Sequence, residues 1–153
     1  MFEPNKTVKL TGKGFEMRKT VKNIMVCVTQ QKSCERLIRR GAEIKKQLNG
    51  ELHVIHVVKE GWKYFGKLKE SDALEYLFDK SKSYGADLTV IKAPDIEETL
   101  RNFAEKNNID IIVMGESFEK SEQQNMIKRL KNKLSYEVII DVVPLEEVNE
   151  QAV

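Results

Sequence analysis

The 153-residue chain contains no apolar run approaching the roughly 18 residues that a membrane-spanning helix needs, which excludes a helical transmembrane protein. Its opening Met1-Phe2-Glu3-Pro4 lacks the apolar core of a secretory signal, so a cytoplasmic location is expected. Cysteine is scarce. Cys27 and Cys34 do not fall in a metal-binding spacing, and both are expected as reduced thiols. An excess of charge of one sign is also missing: 26 Lys and Arg stand against 24 Asp and Glu, a net +2. A general nucleic-acid binder would show a one-sided basic field, and a membrane-surface protein has no support here either. Catalytic motifs are absent as well. Neither Ser33 nor Ser117 sits in a nucleophile elbow, and no nucleophile, base and orienting acid fall into a recognisable arrangement, so no catalysis is expected.

What is present is periodicity. With 41% hydrophobic residues the chain suits one domain with a sizeable core. Residues 22–41 organise it. Ile24 to Val28 form an almost unbroken apolar run, as in a central strand covered on both faces. Ser33 is placed to cap a helix, along which Cys34, Leu37, Ile38, Gly41, Ala42 and Leu48 recur at helical spacing. Asn49-Gly50 closes that helix, and Leu52 to Val58 start a second strand. The turn Thr29-Gln30-Gln31-Lys32 therefore lies at the carboxyl end of a parallel strand, where open α/β sheets bind ligands. It also satisfies the bland description of a polar connection. Cys34, at a helix start, has either a depressed pKa or a small core-facing role, the latter favoured.

The remaining chain repeats the pattern. Residues 1–20 stand outside it as an arm, either mobile or carrying a short strand at Thr7–Thr11. A loop with Trp62, Tyr64 and Phe65 among Lys59, Lys63 and Lys67 precedes a helix capped by Ser71 or Asp72 and stopped by Gly85. Leu88 to Ile91 alternate like an edge strand. Asp95 and Glu98 form a capping box for a third helix with Ile96, Leu100, Phe103 and Ala104 on its buried face. Ile109 to Met114 are a fourth strand broken by Gly115, and a fourth helix carries Met126, Ile127, Leu130 and Leu134. Val138 to Val143, ended by Pro144, complete five strands and four helices, which implies a doubly wound parallel α/β sheet. His53 and His56 sit three apart on a strand and face opposite ways, so they make poor joint metal ligands and no metal is expected.

Over residues 21–144, with 145–153 as a tail, this order, the spacing and the Val113-Met114-Gly115 end of the fourth strand resemble the universal stress protein superfamily. Within it, Ser33-Cys34-Glu35-Arg36-Leu37-Ile38-Arg39-Arg40-Gly41 followed by Gly50 to Val57 is similar to the stress-protein-like domain of KdpD-type potassium-sensor histidine kinases. The resemblance implies a Rossmann-like sheet of order 3-2-1-4-5, related to the adenine nucleotide alpha-hydrolase fold, in a stress-response or regulatory module. It implies a homodimer through the fifth strand, at Val138, Ile139, Ile140, Asp141 and Val142, and leaves room for a regulatory protein partner. It places a ligand site at Thr29, Gln30, Gln31, Arg36, Val57, Lys59, Gly115, Glu116 and Ser117.

The departures from the family pattern bear on the ligand. Family members that hold ATP carry Asp-Gly-Ser after strand one, where this chain has Thr29-Gln30-Gln31. Their glycine pattern after strand four is met by Gly115 but not by Phe118 or by Lys128-Arg129, so side chains are expected to obstruct a triphosphate. The KdpD-like domains share this loss, and some bind cyclic di-AMP. For such a ligand Thr29 and Gln31 offer hydrogen bonds, Arg36, Lys59 and Lys63 charge, and Trp62, Tyr64 or Phe65 a stacking surface, the aromatics serving equally as loop packing. An ATP-binding protein with weak hydrolysis and a purely structural dimerisation domain, its pocket filled by Phe118, are the alternatives.

Overall fold

The computed structural model describes residues 22–28, 31–59 and 70–145. Among them strands and helices alternate: β1 (Asn23–Val28), α1 (Gln31–Leu48), β2 (Glu51–Lys59), α2 (Glu70–Ser83), β3 (Asp87–Ala93), α3 (Ile96–Lys106), β4 (Ile111–Gly115), α4 (Lys120–Lys133) and β5 (Ile139–Val143). Every strand pair is parallel, and the sheet order is β3-β2-β1-β4-β5. This is the doubly wound α/β sheet expected from the periodicity, in the order implied by the resemblance.

The two-residue alternation of β1 divides its side chains between two cores. Ile24, Val26 and Val28 pack with Cys34, Leu37, Ile38 and Leu77 of α1 and α2. Met25 and Cys27 pack with Leu100, Ala104, Ile127 and Leu130 of α3 and α4. With β2 and β4 on its edges, β1 has neither an open face nor an open edge. That accounts for an apolar run with no polar residue between Ile24 and Val28.

Helix ends follow their local chemistry. The Asp95 carboxylate accepts the Glu98 N–H at 3.0 Å, the forward half of the expected capping box. Gly85 stops α2 at φ +72, the left-handed region open to glycine. Asn49 leaves α1 at φ 54, and asparagine is among the few side chains that tolerate it.

Some boundaries differ from the sequence expectation. Helix α1 begins at Gln31, so Ser33 lies inside its first turn rather than capping it, because Gln and Lys are themselves good helix formers. Helix α2 begins at Glu70, ahead of Ser71 and Asp72. Strand β3 runs from Asp87 to Ala93, lengthened by seven register pairs with β2. Gly115 belongs to β4, where it pairs with Val143 instead of breaking the strand. Cys34 is fully buried, and burial pushes its thiol up to about 11, which makes it a core residue and not a reactive one. The arm at 1–20, the aromatic loop with Trp62, Tyr64 and Phe65 and Lys63, and the tail beyond Leu145 lie outside the described residues.

The contact between α1 and the sheet depends on Gly41. A Cβ there would stand 2.5 Å from Val26 Cγ2 and 2.8 Å from Leu52 Cδ1, below any ordinary contact, and Val26 is a stiff β-branched side chain buried at the centre of the sheet. Gly41→Ala is therefore expected to destabilise by about 1–2 kcal/mol, overpacking outweighing the gain of roughly 1 kcal/mol in helix propensity. Thermal denaturation checks this, through a Tm lowered by about 2–4 °C per kcal/mol at this chain length.

Candidate functional site

Strand β1 connects to β2 on one side, while β4 lies on its other side, so the sheet reverses its order between β1 and β4. The crevice outside their carboxyl ends is the topological switch point. Gln31 opens α1 at this end; Thr29 and Gln30, which precede it, lie outside the described residues. Arg36, one turn further along α1, reaches across to the chain after β5 and donates from Nη1 to the Pro144 carbonyl at 2.7 Å. Its Nε is buried with no hydrogen-bond partner. A buried guanidinium N–H left without an acceptor is costly, on the order of 1–3 kcal/mol, and calls for a specific explanation.

The loop after β4 lies on the other side of the crevice. The Glu116 N–H donates to the Val143 carbonyl at 2.8 Å. Its carboxylate accepts the Leu145 N–H at 2.8 Å and pairs with Lys120 at 3.3 Å. The Leu145 N–H, helped by Lys120, holds the Glu116 carboxyl below its ordinary value. Residues 143–145 are thus tied down from both sides, by Arg36 and by Glu116.

Gln123, in the first turn of α4, closes the same loop. Its Oε1 accepts the Ser117 N–H at 3.0 Å, and its Nε2 donates to the Gly115 carbonyl at 2.8 Å. The Ser117 hydroxyl in turn accepts the Glu119 N–H at 3.0 Å. Sequence patterning did not single out Gln123, because one Gln in a polar helix carries no spacing signal.

The structure brings Arg36 and Glu116 together on the segment 143–145, with Gly115 and Ser117 on either side of Glu116 and Gln31 at the head of α1 at the same end of the sheet. Two expected residues are placed otherwise. Val57 is 4% exposed and packs in the core beneath α3 and α4, since its register position points it inward, so it can offer a ligand only its backbone. Lys59 ends β2 with an exposed side chain. Phe118, expected to obstruct a triphosphate and, in the structural-domain alternative, to fill the pocket, is 87% exposed. Arg129 is turned away too, held bidentate by Glu97 at 2.9 Å through both Nε and Nη2. His53 and His56 do face opposite ways: His53 meets Phe103 of α3 edge-on, while the His56 Nδ1 donates to the Val28 carbonyl at 2.9 Å. A carbonyl only accepts, so the Nδ1 carries the proton, and the buried ring braces the end of β1.

The Glu116 carboxylate gives this region a pH dependence. Because its folded pKa is depressed, its contribution is complete above the ordinary value near 4.5 and is lost as pH falls through the lower folded value. Amide exchange at Leu145, followed by NMR, should therefore accelerate in acid relative to the Val113 amide in the core. In Glu116→Gln the acid-dependent part of that acceleration should disappear.

Comparisons with known proteins bear on this fold. The sequence model of the universal stress protein family matches residues 20–130. No curated protein sequence matches the chain. The universal stress protein UspA from Lactobacillus plantarum superposes with a TM-score of 0.59 at 14% identity, over 82% of this chain and 99% of that one. A universal stress protein in complex with cAMP gives 0.55 at 16% identity, over 84% and 98%. The Archaeoglobus fulgidus universal stress protein in complex with dAMP gives 0.50 at 17% identity, over 83% and 98%. At these identities the structures establish the shared fold, and no helix among the described residues is long and apolar enough to cross a membrane. Its sheet order and the family match over most of its length together place this chain in the universal stress protein family.

Proposed function

We propose that this chain is a non-enzymatic, cytoplasmic regulatory module that binds an adenine nucleotide at the β1/β4 crevice. The observation that carries the proposal is the Arg36 Nε, a buried cationic donor without an acceptor at the place where this sheet architecture receives ligands. A phosphate oxygen supplies the missing acceptor. Arg36 also belongs to the Ser33–Gly41 run that resembles KdpD-type domains, which makes cyclic di-AMP the first ligand to try. The adenine nucleotides in the titles of two structural neighbours, cAMP and dAMP, support the ligand class. An ATP-cleaving enzyme would need free backbone donors after β4, and three of those N–H groups already donate within the chain.

Thermal unfolding with ATP, AMP and cyclic di-AMP tests this reading, because selective binding to the folded state raises Tm by mass action. At a ligand concentration of 100 times Kd the stabilisation is about 2.7 kcal/mol, which at this chain length corresponds to a rise of roughly 5–10 °C. Arg36→Met, which keeps the aliphatic stem, should abolish the shift. A flat response of the wild type to all three nucleotides would favour the structural interaction domain instead.

We further propose that the module is a homodimer joined along β5. That strand is a sheet edge, and its candidate residues are unequal. Val138 precedes the strand and is 3% exposed, Ile140 and Val142 pack inward against the α3/α4 core, and Asp141 is held by Arg40 at 2.7 Å. Ile139, 61% exposed, is left with the unpaired backbone edge to meet a partner. Light scattering at micromolar concentration should give a dimer for the wild type and a monomer for Ile139→Lys.

A further inference from the structure

We propose that Gln123 is a specificity-determining residue that restricts the crevice to nucleotides without a polyphosphate chain. The inference rests on the nucleotide-binding reading above and narrows its ligand class.

A chain of phosphates beside a strand end is held by successive backbone N–H groups turned toward one point. After β4 three of those groups are engaged within the protein. Glu116 N–H is committed to Val143, Ser117 N–H to the Gln123 amide oxygen, and Glu119 N–H to the Ser117 hydroxyl. The Gln123 amide is the closure that reaches the loop from the helix beyond it, and it holds at two points. Its Nε2 donates to the Gly115 carbonyl at 2.8 Å, which fixes the amide orientation and leaves Oε1 facing Ser117 N–H. That oxygen is an internal acceptor for an N–H that a phosphate oxygen would otherwise have to claim. The loop is also electrically unsuited to a polyphosphate. Glu116 brings a carboxylate to the crevice, and the neighbouring cation Lys120 is already paired with it. A single or cyclic phosphate does not need this loop, because Arg36 on the opposite wall still has an N–H without an acceptor.

Isothermal titration of the full chain with AMP, cyclic di-AMP and ATP separates the possibilities. The wild type should bind AMP or cyclic di-AMP at least tenfold more tightly than ATP. Gln123→Ala frees the Ser117 N–H and should narrow that gap at least fivefold through tighter ATP binding, with AMP affinity held within about twofold. Gln123→Glu keeps an acceptor for Ser117 and adds negative charge, so it should leave the gap unchanged or widen it. Circular dichroism establishes that each variant is folded. Should the alanine variant not fold, Gln123→Asn draws the amide back by one methylene and should narrow the gap in the same direction. An unchanged gap in the folded opened variant, while AMP or cyclic di-AMP still binds, overturns the role of Gln123 and leaves the nucleotide reading standing. A wild type that prefers ATP also overturns it. If no nucleotide binds any of the proteins, the nucleotide reading itself fails and this inference falls with it.

Discussion

The enclosure of β1 on both faces and both edges is the constraint on which the rest of the structure depends. With β2 and β4 hydrogen-bonded on either side and helices above and below, no side chain from Ile24 to Val28 has substantial access to water. Burying such a strand removes apolar area at about 25 cal/mol per Å² only if both helical layers approach closely. Gly41 permits this on one side, where a single methyl group would strike Val26 and Leu52. On the other side, Met25 and Cys27 meet the small Ala104 and the larger Leu100, Ile127 and Leu130. The same enclosure creates the switch point, because β1 is where the strand order turns back.

At the carboxyl end of β1 the chain has to satisfy polar groups that the sheet no longer pairs, and it does so largely from within. His56 takes the Val28 carbonyl, Glu116 takes the Leu145 N–H, and Gln123 takes both an N–H and a carbonyl of the loop after β4. Each bond is worth only about 1 kcal/mol net, but an unmade one in a buried site costs more than a made one returns. Against this background of self-satisfaction the Nε of Arg36 stands out as a buried charged donor without a partner. The loop after β4 thus spends three backbone donors internally, whereas the Arg36 Nε on the α1 side is left without a hydrogen-bond partner.

How much of this could be read from the sequence depended on the physical range of each signal. Asp95 and Gly85 were legible because capping and left-handed termination are decided within one turn of the chain. The edge character of β3 was legible from the alternation of Leu88, Thr89, Val90 and Lys92. Ser33 was misplaced as a cap because the helix formers before it extended α1, a competition among weak local preferences. The glycine positions after β4 drew attention to Phe118 as an obstruction, yet its side chain points into water. The residue that closes the loop, Gln123, does so by reaching back along the chain to Gly115 and Ser117, and no spacing rule marks it.

The sequence by itself carried the family, through its match over residues 20–130, and determined the class of fold, which follows from hydrophobic periodicity and the order of elements along the chain. Those properties are local and repeat often enough to be counted. Only the tertiary structure decided which groups at the switch point remain free. Arg36 meets Pro144 across 108 residues, and Arg40 meets Asp141 across 101, distances along the chain over which composition carries no information about contact. Whether a donor is spent or available depends on a fit of a few tenths of an ångström between such distant segments, and that is settled only when the sheet and its helices close around β1.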